Sequence, residues 1–137
     1  RSRIRDAFLE LPQAKGMNNH QGSLVTENIH VMQIVAEELK SLGKYFVDSR
    51  TTKETVAEQV MRSAGVPVDH RRVFLDNENS IRYIRKQIQQ LAKIAKTEGV
   101  AIGIGHPRKK TLQAIKQEIP SLKQQGIHFG YASAAVR

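Results

Sequence analysis

VFLDNENSIRYIRKQIQQLAKIAKTEGVAIGIGHP, residues 73–107, decides the fold. It opens on a short apolar run, Val73-Phe74-Leu75, and closes on a second, Val100-Ala101-Ile102-Gly103-Ile104. Between them Ile81, Ile84, Ile88, Leu91, Ala92 and Ala95 recur at helical spacing until Gly99. A short apolar run reads as a buried strand, and an apolar period of 3.6 residues reads as an amphipathic helix. Strand, helix and strand in that order make a βαβ unit, whose handedness builds parallel sheets with helices outside.

The same cadence continues in both directions. Upstream, Tyr45-Phe46-Val47 is another strand. The helix before it carries Ile29, Met32, Val35, Ala36 and Leu39 on one stripe, with Thr26 as the expected N-cap and Gly43 past its end. The helix after it carries Val56, Ala57, Val60, Met61 and Ala64 and closes at Gly65. Ile4, Ala7, Phe8 and Leu11 share a face of an opening helix that Pro12 ends, and Leu112, Ile115 and Ile119 mark a last helix that Pro120 is expected to stop. Two weaker segments, Gly16-Met17-Asn18 and Ile127-His128-Phe129, complete a reading of five strands in an α/β fold of largely parallel sheet. Five such strands leave an open edge. The expectation is therefore a single domain that is incomplete, with strands missing on the N-terminal side.

At 137 residues the chain is long enough for one packed core. It has no apolar run long enough to span a bilayer and no visible export leader, although it begins at Arg1, so an upstream segment could have been removed. Without cysteine there is no disulfide, no thiolate metal site and no thiol nucleophile. The net charge of +9 favours anionic partners, yet the basic residues are dispersed and aromatics are only 5%, which supplies base stacking poorly. Nucleic acid is disfavoured as a partner on that ground.

His20, Asp48, Asp76 and His106 follow strands at intervals of 28, 28 and 30 residues, close to the roughly 30 residues per unit of a β/α barrel. Ligands of parallel α/β folds bind at the C-terminal ends of the strands, so these four are candidates for acid, base or ligand chemistry. His20, Asp48 and His106 are expected to converge on one rim, and His30, His70 and His128 to lie elsewhere. The loop Asn18-Asn19-His20-Gln21-Gly22-Ser23 reads as an anion, sugar or metal site, or simply as a turn built from turn residues. His106 is the leading single candidate: Gly103 and Gly105 precede it, leaving room for a ligand, and Pro107 stops the strand. Asp48-Ser49 and Asp76-Asn77 end their strands and suit orienting a histidine, holding a metal or accepting a substrate hydroxyl. For Asp76, with Asn77, Asn79 and Ser80 leading into a long helix, N-capping is the favoured reading. No His-x-x-His or His-x-x-x-His pair, Gly-x-Gly-x-x-Gly loop or Walker loop is present. A triad of Ser23 or Ser49 with His106 and Asp48 lacks the strained elbow that such a serine needs.

Gly-Met-Asn-Asn-His-Gln-Gly-Ser at 16–23, Tyr-Phe-Val-Asp-Ser at 45–49, Val-Phe-Leu-Asp-Asn at 73–77 and Ile-Gly-Ile-Gly-His-Pro at 102–107 resemble, in order, the motifs of the divergent polysaccharide deacetylases. The resemblance implies an irregular β/α barrel, here its C-terminal portion over residues 1–137, and a metal-dependent deacetylase of an acetylated polysaccharide or envelope glycan. It implies His106 as general acid, with Asp48 orienting it or binding substrate, and His20 as completing the shell of a divalent metal, zinc by the family's pattern, whose other ligands lie upstream. Asn18, Asn19, Ser23, Ser49 and Asp76 become the candidate substrate contacts, and an exported, periplasmic or envelope location follows. One departure stands out: the loop carrying Asn18, Asn19 and His20 occupies the place of the arginine-proline motif of ordinary deacetylases. The alternatives are a catalytically degenerate glycan-binding or envelope-associated module and, from the charge, a nucleic-acid-binding protein.

Overall fold

A computed structural model describes residues 1–137. The strands are β1 (Gly16–Asn18), β2 (Tyr45–Asp48), β3 (Val68–Phe74) and β4 (Ile102–Ile104). The helices are α1 (Ser2–Glu10), α2 (Ser23–Thr26), α3 (Ile29–Ser41), α4 (Ala57–Ala64), α5 (Ile81–Glu98) and α6 (Lys109–Gln124), followed by a 3-10 turn at Ala132–Ala134. Each strand pairs in parallel with the next in the chain, which is the arrangement the βαβ reading requires. The chain divides into two units, one of residues 1–70 with 132–137 and the other of residues 71–131.

In the first unit β1 pairs with β2 and β2 with the start of β3, in a register that sets Asp48 opposite His70. The core gathers Met32, Ala36 and Leu39 of α3, Phe46 of β2, Val60 and Met61 of α4, and Val66 and Val68. Helix α1 leans on this core through Ile4 and Phe8, and ion pairs from Arg1 to Glu37 and from Arg5 to the buried Glu38 fasten it to α3. Residue 137 returns here, its carbonyl accepting from the Val68 amide at 3.1 Å.

The second unit builds its core from Val73 and Leu75, from Ile84, Ile88 and Ala92 of α5, and from Ala114 and Leu122 of α6. Its strand pair is bulged: Arg71 faces Ile102 but Val73 faces Gly103, so Arg72 is the extra residue. Arg72 then reaches Glu98 at 2.9 Å, and the Arg71 guanidinium lies 3.8 Å from the centre of the Phe74 ring.

Several expectations need correction. Ile127-His128-Phe129 is not a strand. Gly126, at φ 82°, ends α6 in a left-handed turn in which the amides of Gly126 and Ile127 bond back to the carbonyls of Lys123 and Leu122. Ile127 is thereby drawn onto the core as the apolar anchor of that cap. Pro120 does not stop α6: the helix runs through it because Leu122, in the next turn, is buried. The buried residues of α6 are Thr111, Ala114, Glu118 and Leu122; of the expected stripe Ile115 packs against the core, whereas Leu112 is 58% exposed. The cap of α3 is Asn28, whose side chain accepts from the Val31 amide at 3.1 Å; Thr26 is buried at the end of α2 instead. Strand β3 begins five residues before Val73, in a stretch whose Asp69-His70-Arg71-Arg72 hid it from an apolar-run reading.

Candidate functional site

The named candidates divide between the units, with Asn18, Asn19, His20, Ser23, Asp48 and Ser49 in the first and Asp76 and His106 in the second.

In the second unit the parallel register sets Phe74 opposite Ile104, so the residues two further along each strand, Asp76 and His106, come out side by side. Asp76 is only 2% exposed. One of its oxygens, Oδ2, accepts from the His106 backbone amide at 2.7 Å and from the Thr111 hydroxyl at 2.8 Å. The other, Oδ1, lies 3.0 Å from Nδ1 of the His106 ring. Its backbone carbonyl accepts from the Arg108 guanidinium at 3.1 Å. Burial is the largest single influence on the Asp76 carboxyl and pushes its pKa up. The bonds from the His106 ring and amide and from Thr111, with the charge of His106, together outweigh it and hold the group below the usual carboxylate range. An ionised carboxylate can only accept, so Nδ1 of His106 carries a proton and donates it to Oδ1. The imidazole is 44% exposed. A tight turn holds its backbone, the Arg108 amide donating to the His106 carbonyl at 2.7 Å across Pro107.

This pair corrects three readings. The carboxylate that orients His106 is Asp76, where the family reading put Asp48. Asp76 does not cap α5: Ser80 occupies that position and makes no side-chain cap bond. The glycines before His106 do not leave a ligand space, because a β-carbon on Gly105 would meet Thr111 Cγ2 at 3.1 Å and Leu75 Cβ at 3.4 Å, and Gly103 is backed by Leu91 and Leu75. They let those side chains close over the strand.

In the first unit the loops after β1 and β2 are laced together. The Asn19 carbonyl oxygen Oδ1 accepts from the Ser49 amide at 2.8 Å, the Ser49 hydroxyl donates to the Asn19 backbone carbonyl at 2.6 Å, and Asn18 Nδ2 donates to that hydroxyl at 3.1 Å. Ser23 donates to the Thr51 hydroxyl at 3.3 Å. Asp48, fully buried, accepts from the Arg50 amide at 2.8 Å and from the Thr55 hydroxyl at 2.9 Å. Both loops hold a non-glycine residue in the left-handed region, Gln21 at φ 60° and Arg50 at φ 46°. Such residues persist where surrounding bonds over-determine them, as Asp48 does for Arg50. His20 is exposed on the first of these loops.

Two histidines fall outside this set as expected: His30 is exposed on α3 and His128 lies past α6. His70 sits in an ion-paired cluster of the first unit. Its Nδ1 sits 2.8 Å from Glu58 Oε2, and Glu58 also binds Arg62 at 2.9 Å and Arg50 at 3.0 Å. Burial presses the Glu58 pKa upward most strongly, but the bonds from Arg62 and Arg50 and the charge of His70 win and lower it. The signal for this cluster in the sequence is the Asp69-His70 step after Pro67. No three His, Asp or Glu side chains of the chain gather in a way that would hold a metal ion.

Residues 1–136 match the sequence model of a family described as divergent polysaccharide deacetylase. The chain is 38% identical over 119 residues to the uncharacterized protein YibQ of Escherichia coli, covering 87% of this chain and 37% of YibQ. It is 32% identical over 122 residues to an uncharacterized protein of Haemophilus influenzae, covering 89% of this chain and 44% of that one. A crystal structure of the uncharacterized protein ATU2773 from Agrobacterium tumefaciens superposes with a TM-score of 0.86 at 22% identity, over 89% of this chain and 50% of that chain, which shows the shared fold. The chain thus spans half or less of the length of each of these relatives. With the profile matched almost end to end and the motifs at 16–23, 45–49, 73–77 and 102–107 inside it, the chain belongs to the divergent polysaccharide deacetylase family.

Proposed function

We propose that this chain contributes an acid–base dyad, Asp76–His106, to a hydrolase that deacetylates an acetylated polysaccharide of the cell envelope. One observation carries the reading: a buried, ionised carboxylate held by three donors fixes Nδ1 of a half-exposed imidazole at the end of a parallel strand. That arrangement sets the tautomer and favours the imidazolium that forms when Nε2 takes a proton. The proton comes from the water that adds to the acetyl carbonyl, and His106 can return it to the departing amine or hydroxyl oxygen as the C–N or C–O bond breaks and acetate is released. Asn19 and Ser49 brace the loop bearing His20, which is exposed on it, and Asp48 anchors the next loop.

The metal of the family pattern belongs to the same proposal with a limit. The chain's own residues do not make up a metal shell. His20 would be one ligand of a shell completed by residues outside 1–137.

The test is made on the full-length protein. His106→Ala is expected to lower deacetylation of an acetylated glycan about 100-fold to 10,000-fold with little loss of fold. His20→Ala is expected to weaken metal or substrate affinity instead, read by metal analysis and KM. Undiminished turnover in His106→Ala would overturn the role of the dyad, and a full-length protein that binds glycan with no turnover would favour the degenerate binding module.

A further inference from the structure

The net charge of +9 is not shared between the units. Residues 71–131 hold twelve Lys and Arg against four Asp and Glu, a net of 12 − 4 = +8; residues 1–70 with 132–137 hold ten against nine, a net of 10 − 9 = +1. Most of the excess is on α5 and α6, and between these two helices lies a groove of about 630 Å3. Its floor is Glu118, whose buried carboxylate is bonded by the Arg85 guanidinium and the Gln89 amide. Its walls add Gln117 and Ser121, together with Arg82 and Lys86, two exposed cations that make no hydrogen bond or ion pair within the chain.

We propose that this groove binds an anionic polysaccharide whose negative charges are spaced carboxylates. Arg82 and Lys86 supply two unneutralised charges one helical turn apart, matched to acidic groups on a polymer. The carboxamides, the serine hydroxyl and Glu118, with two of its roughly four lone-pair sites used, suit the hydroxyls between those groups. The composition favours a sugar over the other polyanions. No aromatic side chain lines the groove, so it offers no base stacking to a nucleic acid. None of the large hydrophobic residues exposed in this unit, Leu112, Phe129 and Tyr131, lines it either, so it lacks the apolar rim that a bilayer surface requires. The inference stands on charge partition and groove chemistry, independently of turnover at His106.

The experiment titrates the full-length protein with polygalacturonate at low and moderate salt. Dextran, duplex DNA and phosphatidylglycerol vesicles are the comparison probes. Polygalacturonate should bind with an affinity that falls as salt rises, and dextran much more weakly. R82Q/K86Q should lose about tenfold in affinity, since it removes both unneutralised charges from the groove while leaving its carboxamides in place. K93Q/K116Q, which removes the same charge from the same two-helix layer outside the groove, should lose about threefold or less. Both doubles alter exposed side chains without intramolecular partners, so circular dichroism should be unchanged. Equal losses in the two doubles, no binding to polygalacturonate, or tighter binding to DNA or vesicles than to polygalacturonate would each overturn the proposal.

Discussion

Replacing Asp76 with asparagine separates orientation from mere occupancy of the buried site. In the wild type both the His106 amide and the Thr111 hydroxyl bond to Oδ2, at 2.7 and 2.8 Å, and Nδ1 of the ring faces Oδ1 at 3.0 Å. Asparagine fills the same volume. With its oxygen in the Oδ2 position it keeps the first two bonds, but as neutral ones, and its amide nitrogen then faces Nδ1 as a donor. Hydrogen bonds to charged groups contribute about 1.5–3 kcal/mol and neutral ones about 0.5–1.5, so weakening two of them costs about 2 kcal/mol. With an m-value of about 1–3 kcal/mol/M, the urea midpoint should fall by roughly 1 M. The ring must accept at Nδ1, so its proton moves to Nε2, and long-range 1H–15N correlation of the imidazole should report the opposite tautomer. The carboxyl of Asp76 titrates below its unfolded value of about 3.9, so its stabilisation is fully present above that pH and is lost as pH falls through the folded value. The stability gap between wild type and Asp76→Asn should accordingly narrow below about pH 4. A wild-type ring already protonated on Nε2, or a variant with unchanged tautomer and midpoint, would refute the geometry on which the dyad rests.

Thr111→Val removes one of the bonds that lower the Asp76 pKa; stability should drop by about 1–2 kcal/mol and the acid-side loss should begin at a higher pH than in the wild type, read by chemical denaturation across pH 3–6. Gly105→Ala pushes a β-carbon against Thr111 and Leu75, so a loss of about 1–3 kcal/mol is expected, with altered ring shifts at His106, and an unperturbed His106 spectrum would argue against the close packing. Asn28→Ala deletes the N-cap of α3 and should cost about 1 kcal/mol in a urea titration, whereas Thr26→Ser, which keeps the hydroxyl that donates to the Ser23 carbonyl, should leave the α3 cap intact.

The βαβ order of residues 73–107 was legible because it depends on local patterning. Ile84, Ile88 and Ala92 sit at helical spacing whatever they pack against, and a run such as Tyr45-Phe46-Val47 has few alternatives to a buried strand. The strand-end location of Asp48, Asp76 and His106 came from the same source, since chain order alone puts Asp48 at the end of β2 and Asp76 and His106 just past β3 and β4. What a residue does at a strand end was not local. Asp76 and Asp48 have the same kind of neighbours in sequence, an apolar run before and polar residues after. Only the register of β3 against β4 gives Asp76 the His106 ring, while Asp48 closes its own loop through Arg50 and Thr55. The interval of 30 residues between Asp76 and His106 equals the register offset between Phe74 and Ile104, so the pairing was implicit in the spacing once adjacent strands were known to lie side by side. Pro120 and Ile127 show the same division at a helix end. Their intrinsic preferences argued for a stop and a strand, and burial of Leu122 with Ile127 on one core reversed both, because removing two large apolar side chains from water is worth more than one missing amide bond.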